Sequence, residues 1–196
     1  MTRASGVLLH ISSLPGLFGT GCFGEEALAF AGILKSAGFS YWQVLPFSHP
    51  GMGDSPYQSY SAFAGNVYFI DPRQLFDKGL ISDVDLEEAK YSGSAHSVDF
   101  PWLRQNREIL LRKAYMNISS DIIKETESFC LQNSWVDDVA LYETIKQLEG
   151  NKVWWEWESI AVRMHEPSAL DNIRIEHRNE YYQEDRKSTR LNSSHT

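Results

Sequence analysis

Gly6-Val7-Leu8-Leu9-His10-Ile11 and Phe39-Ser40-Tyr41-Trp42-Gln43-Val44-Leu45-Pro46 are two short apolar and aromatic runs, and what separates them decides the fold. The first run is ended by Ser12-Ser13-Leu14-Pro15-Gly16, so it reads as a buried strand followed by a loop. Thr20-Gly21-Cys22-Phe23-Gly24 then leads into Glu25-Glu26. Acidic residues in a first turn favour a helix start, because they face the positive end of the helix dipole. Ala27, Phe30, Ala31, Ile33, Leu34 and Ala37 follow at helical spacing, and Gly38 supplies a stop where a left-handed residue is needed. The second run, rich in aromatic and β-branched residues, reads as another strand. Residues 1–46 therefore spell strand, helix, strand, with a crossover long enough to make the strands parallel. Strands this apolar fit a sheet covered on both faces.

Beyond this unit the periodicity stops. Residues 47–66 are rich in Gly, Ser, Pro and Tyr and form one long loop leaving the second strand. Val67-Tyr68-Phe69-Ile70-Asp71 reads as a short strand. After Pro72 the pattern becomes helical: Leu75 to Leu80, then Val84 to Tyr91 capped by Ser82 or Asp83. Phe100 to Ile118 and Asp121 to Asn133 read as amphipathic helices. Val136 to Leu148 is a third, striped by Val139, Leu141, Tyr142, Ile145 and Leu148. Ser168 to Gln183 starts another. No internal repeat is visible.

A β-α-β opening followed by a long helical stretch reads as α/β: the N-terminal part of a TIM-type (β/α)8 barrel, with a largely helical insertion subdomain and the barrel incomplete. The expected division is 1–72 for the first barrel units including the loop 47–66, 73–165 for the helical insertion, and 166–183 for the start of a truncated helix. Residues 184–196 have almost no apolar content and read as a non-native tail.

Of the 196 residues 42% are hydrophobic and 13% aromatic, which suits a packed core. The net charge of −8 argues against nucleic acid and against an anionic membrane surface, and is silent on neutral partners. Cys22 and Cys130 lie far apart without ligand spacing, so reduced thiols are expected. No apolar run approaches the length of a membrane span, and the N-terminus lacks the pattern of a secretory signal. The expectation is a soluble, cytoplasmic protein.

The loop is where the chemistry concentrates: Gly51-Met52-Gly53-Asp54-Ser55-Pro56-Tyr57-Gln58-Ser59-Tyr60, then Ser61-Ala62-Phe63-Ala64-Gly65-Asn66. Gly51 and Gly53 allow sharp turns and close approach to a ligand, and Pro56 stiffens the chain before Tyr57. Sugars present flat C–H faces ringed by hydroxyls. A tyrosine ring stacks on such a face while its own hydroxyl stays solvated, and Asp, Ser, Gln and Asn bond the rim. By composition alone, ordinary turn residues explain the stretch equally well.

The ordered strings go further. Leu8-Leu9-His10, Ser13-Leu14-Pro15-Gly16, Tyr41 to Pro46, Gly53 to Ser59 and Ser61 to Asn66 match, in order and spacing, those of the amylomaltase family, the bacterial 4-α-glucanotransferases. The resemblance is specific over residues 6–72 and looser from 73 to about 160. It implies a retaining glycoside-processing enzyme with two carboxylates roughly 5 Å apart, an Asp nucleophile and a Glu acid/base. In the family these sit on later strands, so no catalytic residue is assigned here. The resemblance implies a maltodextrin or α-glucan substrate and no cofactor. It implies that Tyr57 lies against the sugar beside the cleaved bond, with Ser55 and Asp54 in the polar part of the same loop. Asn66 closes the loop as a further substrate-binding candidate. Position 52 is Met where some relatives carry a tyrosine of a second, surface glucan site, which argues against that site here.

Other residues carry weaker signals. His10, at a strand end, is either a sugar contact or a satisfied structural histidine. His49 reads as solvated. Adjacent acids at Glu25-Glu26, Glu87-Glu88 and Asp137-Asp138 point apart on a helix, so a solvated face is expected. Trp154, Trp155 and Trp157 read as core packing ahead of a glucan platform. No metal spacing and no Gly-rich phosphate motif appears. Two other classes remain open: a non-catalytic α-glucan-binding module that kept the loop, and an α-glucan hydrolase of the wider α-amylase group. An open barrel exposes strand edges and apolar faces, so the isolated chain is expected to be inactive and poorly stable.

Overall fold

The computed structural model describes residues 3–51, 53–94, 96–182 and 184. The expectation about Met52 lies outside the described residues, as does that about the tail at 184–196 except at Glu184, which is corrected: it is helical, buried and accepts from the Gln147 side chain at 2.9 Å. Chain contacts divide the protein into two compact units, residues 1–118 and 119–196.

The first unit opens with β1 (Gly6–Leu8), α1 (Glu25–Ser36) and β2 (Tyr41–Gln43). β1 and β2 pair in parallel with Gly6 opposite Tyr41, Val7 opposite Trp42 and Leu8 opposite Gln43. Each is shorter than its apolar run, because His10 turns the chain out of β1 into a 3-10 turn at Ile11–Ser13. α1 starts at the two acidic residues, and Gly38 follows its end with φ +79°. Phe30 of α1 meets Trp42 edge to face at 4.9 Å, and the Trp42 indole donates to the Leu9 carbonyl at 2.7 Å. Ile11, Leu14, Ala27 and Phe69 form the core here, with Leu9, Phe23, Phe30 and Trp42 packed on it.

Val7 and Trp42 are half-buried, with Trp42 against Phe30 of α1, whereas Leu8 and Tyr41 are exposed. Among the described residues the sheet has two strands and does not close.

Val67-Tyr68-Phe69-Ile70-Asp71 is also corrected, from a strand to a 3-10 turn at Val67–Phe69. Local side chains win over the apolar pattern. The Asn66 side chain accepts from the Tyr68 amide at 2.9 Å, and Asp71 accepts from the Arg73 amide at 3.0 Å to cap α2 (Pro72–Asp77), with Pro72 in its first turn. The Asp71 carboxylate fills the space where a Cβ at position 24 would stand, which accounts for Gly24. Arg73 gathers Asp71 at 3.0 Å, Glu25 at 3.7 Å and Glu26. The bonds to Glu26 and Asp71 raise the Arg73 pKa, and the guanidinium holds Glu26 below the usual carboxylate range. α3 (Asp83–Glu88) carries a capping box between Ser82 and Asp85. α4 (Phe100–Met116) starts at Asp99, which accepts from the Trp102 amide at 3.1 Å, and buries Leu103, Arg107, Leu110, Leu111 and Ala114 along one stripe.

The second unit is helical: α5 (Ser120–Gln132), α6 (Trp135–Leu148), α7 (Ile160–Arg163) and α8 (Pro167–Glu176), after which helical backbone resumes at residues 178–182. Leu141, Ile145, Trp157 and Val162 make its core. The tryptophan expectation divides. Trp157 is 3% exposed and its indole donates to the Lys152 carbonyl at 3.2 Å, but Trp154 and Trp155 are 49% and 57% exposed. The 3-10 turn that carries them at Trp154–Glu156 sends neighbouring side chains in different directions, so one sequence cluster serves both core and surface.

Candidate functional site

Residues 47–66 leave β2 and return to their starting point. An isolated antiparallel bridge joins Ser48 to Gly65, the His49 amide donates to the Ala64 carbonyl at 3.2 Å, and the Asn66 amide donates to the Phe47 carbonyl at 2.9 Å. This closed neck turns a long irregular segment into a compact projection of the kind that carries binding residues on a fixed scaffold.

Within the projection, hydroxyls substitute for regular backbone pairing. Ser61 Oγ accepts from the Phe63 and Ala64 amides at 3.2 and 3.1 Å, and Ser59 Oγ donates to the Ser61 carbonyl at 2.7 Å. Near the tip the Gly51 amide donates to the Gln58 carbonyl at 2.9 Å, and a Cβ at position 51 would collide with that oxygen. The Tyr57 amide donates to Ser55 Oγ at 3.3 Å. Gly53 (φ +85°) and Asp54 (φ +56°) are consecutive left-handed residues that reverse the chain.

The candidate residues fall into two groups. Tyr57 is 72% exposed, with its ring projecting from a backbone held by Ser55 and by the Gly51–Gln58 bond. Asp54 shares the tip, and its carboxylate pairs with the Arg104 guanidinium of α4. Asn66 and His10 sit at the floor instead. Asn66 is buried, with its side chain committed to the Tyr68 amide. His10 is 8% exposed, stacked on Phe47 at 5.9 Å and met edge-on by Phe69 at 5.4 Å. Its Nδ1 accepts from the Leu45 amide at 3.2 Å, which leaves the proton of the neutral ring on Nε2. Burial lowers the His10 pKa, so the neutral form that the Leu45 bond requires is also the form that the site favours.

Two arginines had no sequence signal. Arg107 is fully buried and donates to the Ile70 carbonyl at 2.8 Å, fixing α4 to the exit of the loop. Arg104 reaches the loop tip one helical turn away. Both pairings join residues far apart in the chain, and each arginine reads alone as part of a solvated helix face. Cys22 and Cys130 are both reduced, and burial pushes the Cys22 thiol up to about 11, which leaves it unreactive. Among the described residues no group of three or more His, Cys, Asp or Glu is placed to hold a metal ion, and no helix is long and apolar enough to cross a membrane.

Comparison with known proteins places this loop in a family. The 4-alpha-glucanotransferase family profile matches residues 9–184. The chain is 42% identical over 174 residues to the 4-alpha-glucanotransferase of Streptococcus pneumoniae, covering 88% of this chain and 34% of the relative. It is 39% identical to that of Thermus thermophilus, covering 87% of this chain and 34% of the relative. The solved amylomaltase of Streptococcus agalactiae in complex with acarbose superposes with a TM-score of 0.91 at 36% identity, covering 95% of this chain and 38% of that one. The chain thus spans about a third of the length of the curated relatives it matches. With the profile matching nearly from end to end, and the strand, helix and loop order shared with a solved amylomaltase, this chain belongs to the 4-alpha-glucanotransferase family.

Proposed function

We propose that this chain supplies one wall of the glucan cleft of a 4-α-glucanotransferase that transfers α-1,4-glucan segments between maltodextrins. Tyr57 stacks on a glucose ring next to the bond being exchanged, and Ser55 adds a hydroxyl at its rim. The observation that carries this reading is the exposed Tyr57 ring on a loop whose neck and tip are both closed by hydrogen bonds. A stacking ring held in place loses little freedom on binding, and that is what makes a projecting tyrosine an effective sugar contact. The amylomaltase that this chain superposes on was solved with acarbose, which supports a glucan-like ligand for the cleft.

Catalysis in this reading is a retaining double displacement. An Asp attacks the anomeric carbon, a Glu protonates the leaving oxygen and then deprotonates the acceptor hydroxyl, and both carboxylates come from sequence outside this chain. Residues 1–72 are the first units of a (β/α)8 barrel and 73–165 a helical insertion. The protein works in the cytoplasm, without nucleic acid or membrane partners. His10 and Asn66 shape the floor of the cleft below the sugar.

The test is maltotriose disproportionation by the full-length protein. Longer oligosaccharides are expected together with glucose, and Tyr57→Ala should lower kcat/KM by about 5- to 30-fold, the loss of a stacking contact worth about 1–2 kcal/mol. Glucose and reducing ends rising together without longer products would replace transfer by hydrolysis. A Tyr57→Ala variant as active as the parent would remove the loop from the cleft.

A further inference from the structure

The loop tip has a tie that its own residues do not make. For residues 53–58 the described backbone hydrogen bonds stay within the loop: Gly51 amide to Gln58 carbonyl at 2.9 Å, Asp54 amide to Gly51 carbonyl at 3.4 Å, Gln58 amide to Ser55 carbonyl at 3.1 Å, and Tyr57 amide to Ser55 Oγ at 3.3 Å. Such bonds shape a turn but do not fix its position against the rest of the protein. The Asp54–Arg104 ion pair does, because Arg104 belongs to α4. α4 is itself a rigid base. Leu103 and Arg107, on either side of Arg104, are fully buried, and Arg107 grips the Ile70 carbonyl just beyond the loop's exit. One helical turn therefore holds the loop at two points, its exit through Arg107 and its tip through Arg104.

Backbone conformation points the same way. Asp54 is one of three non-glycine residues with positive φ among those described. An L-residue there is strained, though Asp and Asn tolerate the region best. The left-handed turn at Gly53 and Asp54 presents the Asp54 carboxylate to α4 and leaves Tyr57 projecting three residues on.

We propose that Arg104 is a positioning residue for sugar binding, which it serves by pinning the loop tip through Asp54, and that Asp54 binds arginine rather than sugar. This rests on the reading of Tyr57 as a glucan contact. Ordering the tip in advance removes an entropic cost from binding, so the pair acts on affinity although neither group touches the ligand. Its side chains are partly exposed, 49% for Arg104 and 22% for Asp54, so screening keeps the effect modest and makes it sensitive to salt.

The experiment compares parent, Asp54→Asn, Arg104→Ala, Arg104→Lys and the Asp54→Asn/Arg104→Ala double variant in the full-length protein. Asn keeps the tolerance for positive φ and removes only the charge. Hydrogen exchange should quicken at residues 53–58 in Asp54→Asn and Arg104→Ala while the global melt stays unchanged. Maltotriose KM should rise about 3- to 10-fold with little change in kcat. The double variant should be no worse than either single one, and Arg104→Lys should recover most of the loss. High salt should weaken the parent towards the Asp54→Asn value and leave Asp54→Asn unmoved. Unchanged exchange at the tip, or losses that add in the double variant, would overturn the pin. Quickened exchange with unchanged KM would overturn its role in binding. A loss of binding in Tyr57→Ala without one in Asp54→Asn would defeat this inference alone, whereas unaffected binding in Tyr57→Ala would defeat the sugar reading beneath it.

Discussion

The floor and the tip of the candidate site are built by opposite means. At the floor, His10, Phe47, Phe69 and Asn66 interlock: rings meet within about 6 Å and each polar side chain is bound to a backbone amide. Below it Arg107 reaches the Ile70 carbonyl in full burial. At the tip Tyr57 stands in solvent on a turn closed by a few local bonds and one partly exposed ion pair. Burial makes the floor's contacts costly to break, since a buried polar group stripped of its partner cannot turn to water. The tip's contacts are cheap to break, and its order matters only when a ligand arrives. Floor residues should therefore govern stability, and tip residues affinity.

The largest effect tests the floor. Arg107→Met leaves the Ile70 carbonyl without its donor in a closed core, and should cost about 3 kcal/mol of unfolding free energy from the lost bond and the imperfect fill. Denaturant unfolding measures it, and a change below 1 kcal/mol would show that α4 is fixed by its apolar stripe alone. Next comes the tip. Gly51→Ala pushes a methyl into the Gln58 carbonyl oxygen. It should weaken maltotriose binding about 5- to 150-fold, the equivalent of about 1–3 kcal/mol of overpacking, with a nearly unchanged melting temperature. A melting temperature that falls as far as that of Arg107→Met would erase the contrast between the two regions.

The smallest effect is a pH dependence at the floor. Burial depresses the folded pKa of His10 below its ordinary value of 6.5. Its contribution is then fully present above pH 6.5 and is lost as pH falls through the folded value, because the unfolded chain binds the proton first. Unfolding free energy should drop on the acid side, and His10→Phe should flatten that slope. A slope unaltered by His10→Phe would assign the acid sensitivity to other groups.

Some of this was legible in the residues. Glu25-Glu26 and Gly38 bracket α1, and the Ser82 cap and the α6 stripe, all but the exposed Leu148, are local signals that need no partner. Val67–Phe69 misled because its apolar pattern suits a strand, and the deciding contact, Asn66 to the Tyr68 amide, is a side-chain cap that hydrophobic spacing does not register. Trp154 and Trp155 misled because exposure depends on the direction of a 3-10 turn. Arg104 and Arg107 gave no sign at all. An arginine's role follows from what lies opposite it, and Asp54 and Ile70 come from a distant part of the chain.

By itself the sequence determined the β-α-β order, the limits of α1, α4, α5 and α6 to within about two residues, and the family, since these rest on spacing, caps and ordered strings of side chains that neighbours along the chain decide. Tertiary structure alone decided how the candidate residues are engaged: His10 Nδ1 and Asn66 Oδ1 are bound to backbone amides at the floor, Asp54 pairs with Arg104, and Tyr57 is left projecting. The reason is that hydrogen-bond and ion-pair partners are allotted by proximity in space, and a buried or paired group has already used the valence with which it would have met a ligand.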